Sequence, residues 1–135
     1  MPLIKWRDSY SVGIEKFDKE HRHLVELINR MFVIVRDKDN ITAVSDAVAR
    51  LIDYTEFHFS SEEAAMKEAG FPNLAAHQQL HARLTQEISA FQQKIVAEES
   101  DVGPKFYRFL RDWLLGHILE EDKQYTQYMI ATANR

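Results

Sequence analysis

The 135-residue chain has no cysteine, which excludes disulfides, thiolate zinc sites, iron–sulfur clusters and thiol catalysis together. Any metal it holds must be bound by nitrogen and oxygen. Glycine and proline are scarce, at four and three residues, so long regular elements joined by short turns are expected. No apolar window approaches the roughly 18 residues of a membrane span, and "MPLIKWRDSY" places charges where a signal peptide needs an apolar run. A cytoplasmic address without a membrane span is the expectation. There is no basic run either, and the net charge is -4, so a nucleic-acid partner is not expected. What is present, 45% hydrophobic and 28% charged residues, suits one globular domain over residues 1–135 with a single core.

Apolar residues recur at three and four along four segments, the period of amphipathic helices. The first is expected over about 18–37, with Asp18 as N-cap and Leu24, Val25, Ile28, Met31, Phe32 and Val35 inward. The second covers about 41–69, capped by Asn40 or Thr42, and ends at Gly70 before Pro72; Val44, Val48, Leu51, Ile52, Thr55, Phe59 and Met66 mark its inner stripe. The third runs over about 73–98, and the fourth over about 104–130 with Pro104 in its opening turn. Short connections between four comparable helices predict an all-α, antiparallel up-down-up-down four-helix bundle. An arm of residues 1–17 with Trp6, Tyr10, Val12 and Ile14 carries enough apolar surface to dock on it.

Five of the six histidines, His21, His58, His77, His81 and His117, fall on the stripes predicted to be buried. A single core imidazole is most often satisfied by a backbone carbonyl. Five of them with several carboxylates would leave many buried polar groups in need of partners, each costing about 1–3 kcal/mol if unmet. A shared metal satisfies them together. Glu62 follows His58 by four residues and His81 follows His77 by four, so each pair projects from one helix face. On the last helix "HILEED" offers Glu120, Glu121 and Asp122 after His117. On a regular helix Glu121 lies about 40° from His117 and Asp122 about 140° away, so the wheel favours Glu121. Five imidazoles and two carboxylates exceed one octahedral ion, and nitrogen–oxygen six-coordination suits iron or manganese. Two ions are implied. With two bridging carboxylates and a bridging oxygen, one of roughly twelve positions stays open for a small diatomic ligand.

These residues stand in an order that resembles the hemerythrins, specifically the single-domain bacterial type, over essentially the whole chain. The resemblance is carried by "WRDSYSVGIEKFDKEHRHL", "HFSSEE", "HQQLH" and "HILEED". It implies reversible dioxygen binding, for transport, storage or delivery rather than enzymatic turnover, at two iron ions joined by an oxo or hydroxo bridge. His77, His81 and His117 would bind one iron, His21 and His58 the other, and Glu62 and Asp122 would bridge. The choice of Asp122 over Glu121 comes from the family pattern and requires a local widening of the last helix, of the π type, to bring residues five apart into register. Leu114, Ile118, Phe59, Trp113 and Leu24 are expected to line the oxygen side, and Tyr125 to hydrogen-bond a carboxylate. Dioxygen is the implied partner, with any oxygen-consuming protein partner left unidentified.

The same centre could instead serve an enzyme with oxidase, peroxidase or nitric-oxide-handling activity, or an oxygen sensor. An enzyme would need a substrate channel and a proton donor, and a sensor an output domain; none of these is evident in the sequence. His23 is two positions from His21, about 200° round the helix, and is expected at the surface. "EHRH" spells a Glu-x-x-His motif once, whereas ferritin-like sites need it twice. Met31, Met66 and Met129 are expected to fill the core.

Overall fold

Helices form where the apolar spacing predicted them. The computed structural model describes residues 3–36, 41–97 and 102–133. They build α1 (Glu15–Arg36), α2 (Ile41–Ala69), α3 (Leu74–Val96), and a fourth rod composed of α4 (Val102–Gly116), a π-helical turn (His117–Asp122) and α5 (Lys123–Ala133). Each rod packs on the next and α4 returns to α1, which closes an antiparallel up-down-up-down four-helix bundle. There is no strand among the described residues, and no described helix is long and apolar enough to cross a membrane.

The stripes bury as their period requires. Leu24, Ile28 and Met31 of α1, Val48, Leu51 and Met66 of α2, Leu84 and Ile88 of α3, and Phe106, Leu110 and Leu114 of α4 are all buried. Val35, expected inward, has a side chain outside the described residues, and Met129 is only partly buried. Tyr107, which the apolar pattern passed over, is fully buried beside Phe32, ring centroids 4.3 Å apart. Because the rods alternate in direction, the start of α1, the end of α2, the start of α3 and the end of α4 meet at one end of the bundle. That end carries the histidines. The other is filled by Met31, Val48, Ile88, Phe106 and Leu110, and each such side chain contributes about 1.5–3 kcal/mol on burial. Hydrocarbon at one end therefore holds the rods together while polar groups gather at the other.

Helix ends show where tertiary contacts override local signals. α1 begins at Glu15, so Asp18 is not its N-cap and the arm is shorter than residues 1–17. Asp18 instead accepts from the Val12 N–H at 2.8 Å and the Ser11 hydroxyl at 2.6 Å, fastening the arm to the helix. Ile4 and Asn29 exchange two further bonds, Ile4 N–H to Asn29 Oδ1 at 3.0 Å and Asn29 Nδ2 to the Ile4 carbonyl at 2.8 Å. Asn40 lies outside the described residues, and Thr42 already belongs to the first turn of α2. At the far end of α2 the expected stop is present: Gly70 has φ +71°, its N–H reaches the Lys67 carbonyl, and the Phe71 N–H reaches the Met66 carbonyl at 3.0 Å. This is the paired bonding of a Schellman cap, and the left-handed residue it needs is the glycine. α4 starts at Val102, so Pro104 sits inside the first turn, where its missing N–H leaves no helical bond unmade. α5 continues to Ala133, beyond the expected end near 130.

Candidate metal centre

Four rods each present polar side chains to the same end of the bundle: His21 from α1, His58 and Glu62 from α2, His77 and His81 from α3, and His117 and Asp122 from the fourth rod. All seven are at most 5% exposed. They form two groups, His77, His81, His117 with Glu62, and His21, His58, Asp122 with Glu62, and within each group the potential donor atoms lie within 4.8 Å of one another. Glu62 belongs to both. Its Oε1 is 2.9 Å from His58 Nε2 and 3.6 Å from His81 Nε2. Asp122 also spans both, with Oδ2 3.0 Å from His21 Nε2, and Oδ1 2.8 Å from His117 Nε2 and 3.2 Å from His77 Nε2.

Asp122 can reach this centre only because the helix widens. From His117 to Asp122 the backbone is a π-helix, in which hydrogen bonds close from i to i+5 and residues five apart stack. Glu121, the choice of a regular wheel, is left half-buried outside the cluster while Asp122 is fully buried. The widening expected from the family pattern is therefore present, and the regular-helix reading is corrected by it.

Electrostatics set the members apart. Burial works against a charged His58, but the Glu62 carboxylate and the bond to Glu20 outweigh it and push the imidazole up to about 10. His81 goes the other way, down to about 3, because burial and the neighbouring His117 and His77 outweigh Glu62. Burial would raise Asp122, but the adjacent His117, with His21 and His77, holds its carboxyl well below the usual range. His117 is correspondingly raised against its burial by Asp122.

The donor set fits a cation. His77 Nε2, Glu62 Oε1, both Asp122 carboxylate oxygens and both His21 ring nitrogens are buried and, although several lie 2.8–3.2 Å from a facing nitrogen or oxygen, none makes a well-aligned hydrogen bond among the described residues; a polar group left so costs about 1–3 kcal/mol without a shared ligand. His81 Nε2 and His117 Nε2 face each other at 3.3 Å. Imidazole nitrogens and carboxylate oxygens are donors that first-row ions accept.

Aromatic rings lie against the donors. Phe59 stacks on His81 with centroids 3.8 Å apart and planes at 5°, and Trp113 stacks on His117 at 5.0 Å and 17°. Leu114 and Leu24 are each 1% exposed. The side chain of Ile118, also expected here, lies outside the described residues. Tyr125 donates its hydroxyl to Glu62 Oε2 at 2.5 Å; burial, then the Glu62 and Asp122 charges, raise its pKa, so it stays a donor. His23 stays at the surface, 48% exposed, beside Tyr54 and Glu26.

Two carboxylates were missed as neighbours of the centre. His58 Nδ1 bonds Glu20 Oε1 at 2.6 Å, and the Ser61 hydroxyl donates to Glu20 Oε2 at 3.1 Å. His81 Nδ1 bonds Glu63 Oε2 at 2.9 Å. The signal available in the sequence was adjacency: Glu20 precedes His21 and Glu63 follows Glu62.

Comparison with known proteins agrees with this geometry. A family model described as the hemerythrin HHE cation binding domain matches residues 12–128. The chain is 31% identical to a bacteriohemerythrin of Stenotrophomonas maltophilia over 135 residues, covering 100% of this chain and 87% of that one. It is 31% identical to a bacteriohemerythrin of Clostridium acetobutylicum, covering 91% and 98%, and 26% identical to a myohemerythrin of Theromyzon tessulatum, covering 90% and 89%. A crystal structure of wild-type hemerythrin superimposes with a TM-score of 0.85 at 29% identity, over 95% of this chain and 98% of that one.

Proposed function

The chain belongs to the hemerythrin family, and from that premise we propose that it binds dioxygen reversibly at a pair of iron ions in the end of the bundle where its histidines converge. Its task is capture and release rather than turnover. The observation that carries this reading is the pair of donor groups joined by Glu62 and Asp122, buried, with several facing nitrogen and oxygen atoms that make no well-aligned hydrogen bond among the described residues.

His77, His81 and His117 would hold one ion and His21 and His58 the other, with Glu62 and Asp122 shared. A ferrous pair, when bound, supplies the two electrons that reversible capture of dioxygen draws on. The rest falls to the chain. Two anionic carboxylates offset part of the dication charge where burial makes charge costly. Tyr125 fixes Glu62 by donating to its Oε2, which leaves Oε1 directed at His58 and His81. Phe59 and Trp113 lie flat on His81 and His117, and with Leu114 and Leu24 they exclude water from the donors. A dry, low-dielectric pocket resists separation of charge, so a bound ligand leaves as it came.

The test is to load the protein with iron, count iron per chain, and follow the visible spectrum through cycles of oxygen and vacuum. Two irons and repeated colour change without net oxygen consumption are expected. One iron, or sustained turnover with a reductant, would overturn the reading.

A further inference from the structure

The two missed carboxylates share a pattern. Consecutive residues on a helix are about 100° apart, so when His21 points into the bundle its neighbour Glu20 points toward α2, and when Glu62 points inward Glu63 points toward α3. Each reaches a histidine of the next rod: Glu20 the Nδ1 of His58, Glu63 the Nδ1 of His81. The other side of both imidazoles faces the cluster, His58 Nε2 toward Glu62 and His81 Nε2 toward His117. A carboxylate is an acceptor only, so the Nδ1 facing it keeps its proton, and a cation bound in the cluster would take the Nε2 lone pair in place of any proton there.

His58 and His81 fall in different donor groups. We propose that Glu20 and Glu63 are a matched pair of positioning residues, each orienting and strengthening one imidazole on a different metal ion, Glu20 through His58 and Glu63 through His81. This rests on the dinuclear reading above. Each ion would have one imidazole made more basic by a carboxylate, which favours its higher oxidation state and tightens its binding. Their surroundings differ. Glu20 is buried and also held by Ser61, whereas the Glu63 side chain is 26% exposed. The Glu63 contact is therefore the one solvent can loosen, and it serves the group with three histidines.

The experiment titrates Co(II) without oxygen into the metal-free protein, reading its visible bands, and records histidine Nδ1–H resonances of the Zn(II)-loaded protein. Wild type is expected to take up two Co(II). Glu20→Gln should weaken one uptake step and Glu63→Gln the other, each about 10–100-fold, and each should move upfield the Nδ1–H resonance of its own histidine alone. Glu63→Asp should restore most of the second step, and Glu26→Gln, on the surface beside His23, should change neither. Both variants weakening the same step, or neither resonance moving, would overturn the inference. Failure of the wild type to take up two ions would instead overturn the dinuclear reading on which it stands.

Discussion

Leu114 lies three residues before His117, hence on the same face of its helix, and is 1% exposed. Leu114→Ala should cost about 2–5 kcal/mol of stability through lost packing and the cavity left behind, read by thermal unfolding. Loss of the oxygenated spectrum in air should also become several-fold faster, because the cavity admits water beside the metals; an unchanged rate would remove Leu114 from the mechanism. Tyr125→Phe removes the hydroxyl that donates to Glu62 Oε2. The carboxylate oxygen then stays buried and unpaired at about 1–3 kcal/mol, so iron should be held less tightly in a competition with a chelator while the fold survives. The five imidazoles, Glu62 and Tyr125 were readable as single residues because period places them inward. Glu20 and Glu63 were not, because a polar residue one step off the stripe looks like a solvated face until a histidine of the next helix is seen to meet it.

Among elements, the turn from His117 to Asp122 separates the two ways of reading the last helix. Helical periodicity assumes about 3.6 residues per turn and puts Glu121 over His117, whereas the π-helix puts Asp122 there. Asp122→Ala should therefore abolish the pair of ions, read as iron per chain falling to one or fewer, with the neighbouring Glu121 unable to substitute. Glu121→Ala should leave iron content unchanged and stability within about 0.5 kcal/mol. Retention of two irons by Asp122→Ala would return the role to Glu121. The end of α2 was legible because Gly70 and Pro72 act locally. The start of α1 was not: Asp18 has the chemistry of a cap, but the arm takes both its carboxylate oxygens.

Over the whole molecule, the cluster should make stability depend on pH and on metal together. In the metal-free protein His58 titrates near 10 against about 6.5 unfolded. Its contribution is complete below about 6.5 and is lost as pH rises through about 10. His81, depressed to about 3, stays neutral when folded but takes up a proton when unfolded, so stability is lost as pH falls from about 6.5 toward 3. The raised His117 adds to the alkaline loss and the depressed Asp122 to the acid one. Metal-free stability should peak near pH 6.5, measured by denaturant unfolding across pH. Bound metal keeps the imidazoles deprotonated in the fold, so the loaded protein should lose the alkaline decline and keep the acid one. Removing the metal should lower the midpoint of thermal unfolding, since an ion at about a hundred times its dissociation constant adds about 2.7 kcal/mol. A flat metal-free profile would mean that His58 and His81 are not held as described.

Periodicity and turn chemistry suffice for the four rods, their order, the histidine-bearing end and the Gly70 stop, since each depends on residues a few positions apart along one helix. The absence of cysteine alone excludes thiolate donors for any metal. The widening before Asp122 followed from likeness to a family, not from the helical wheel, and its place in the cluster is visible only once four rods are packed. The arm's hold on Asp18, the Glu20 and Glu63 contacts, and the sharing of Glu62 and Asp122 between two groups have the same origin. Each joins atoms from segments far apart in the chain, where no local period acts and only packing brings opposite charges and donors within reach.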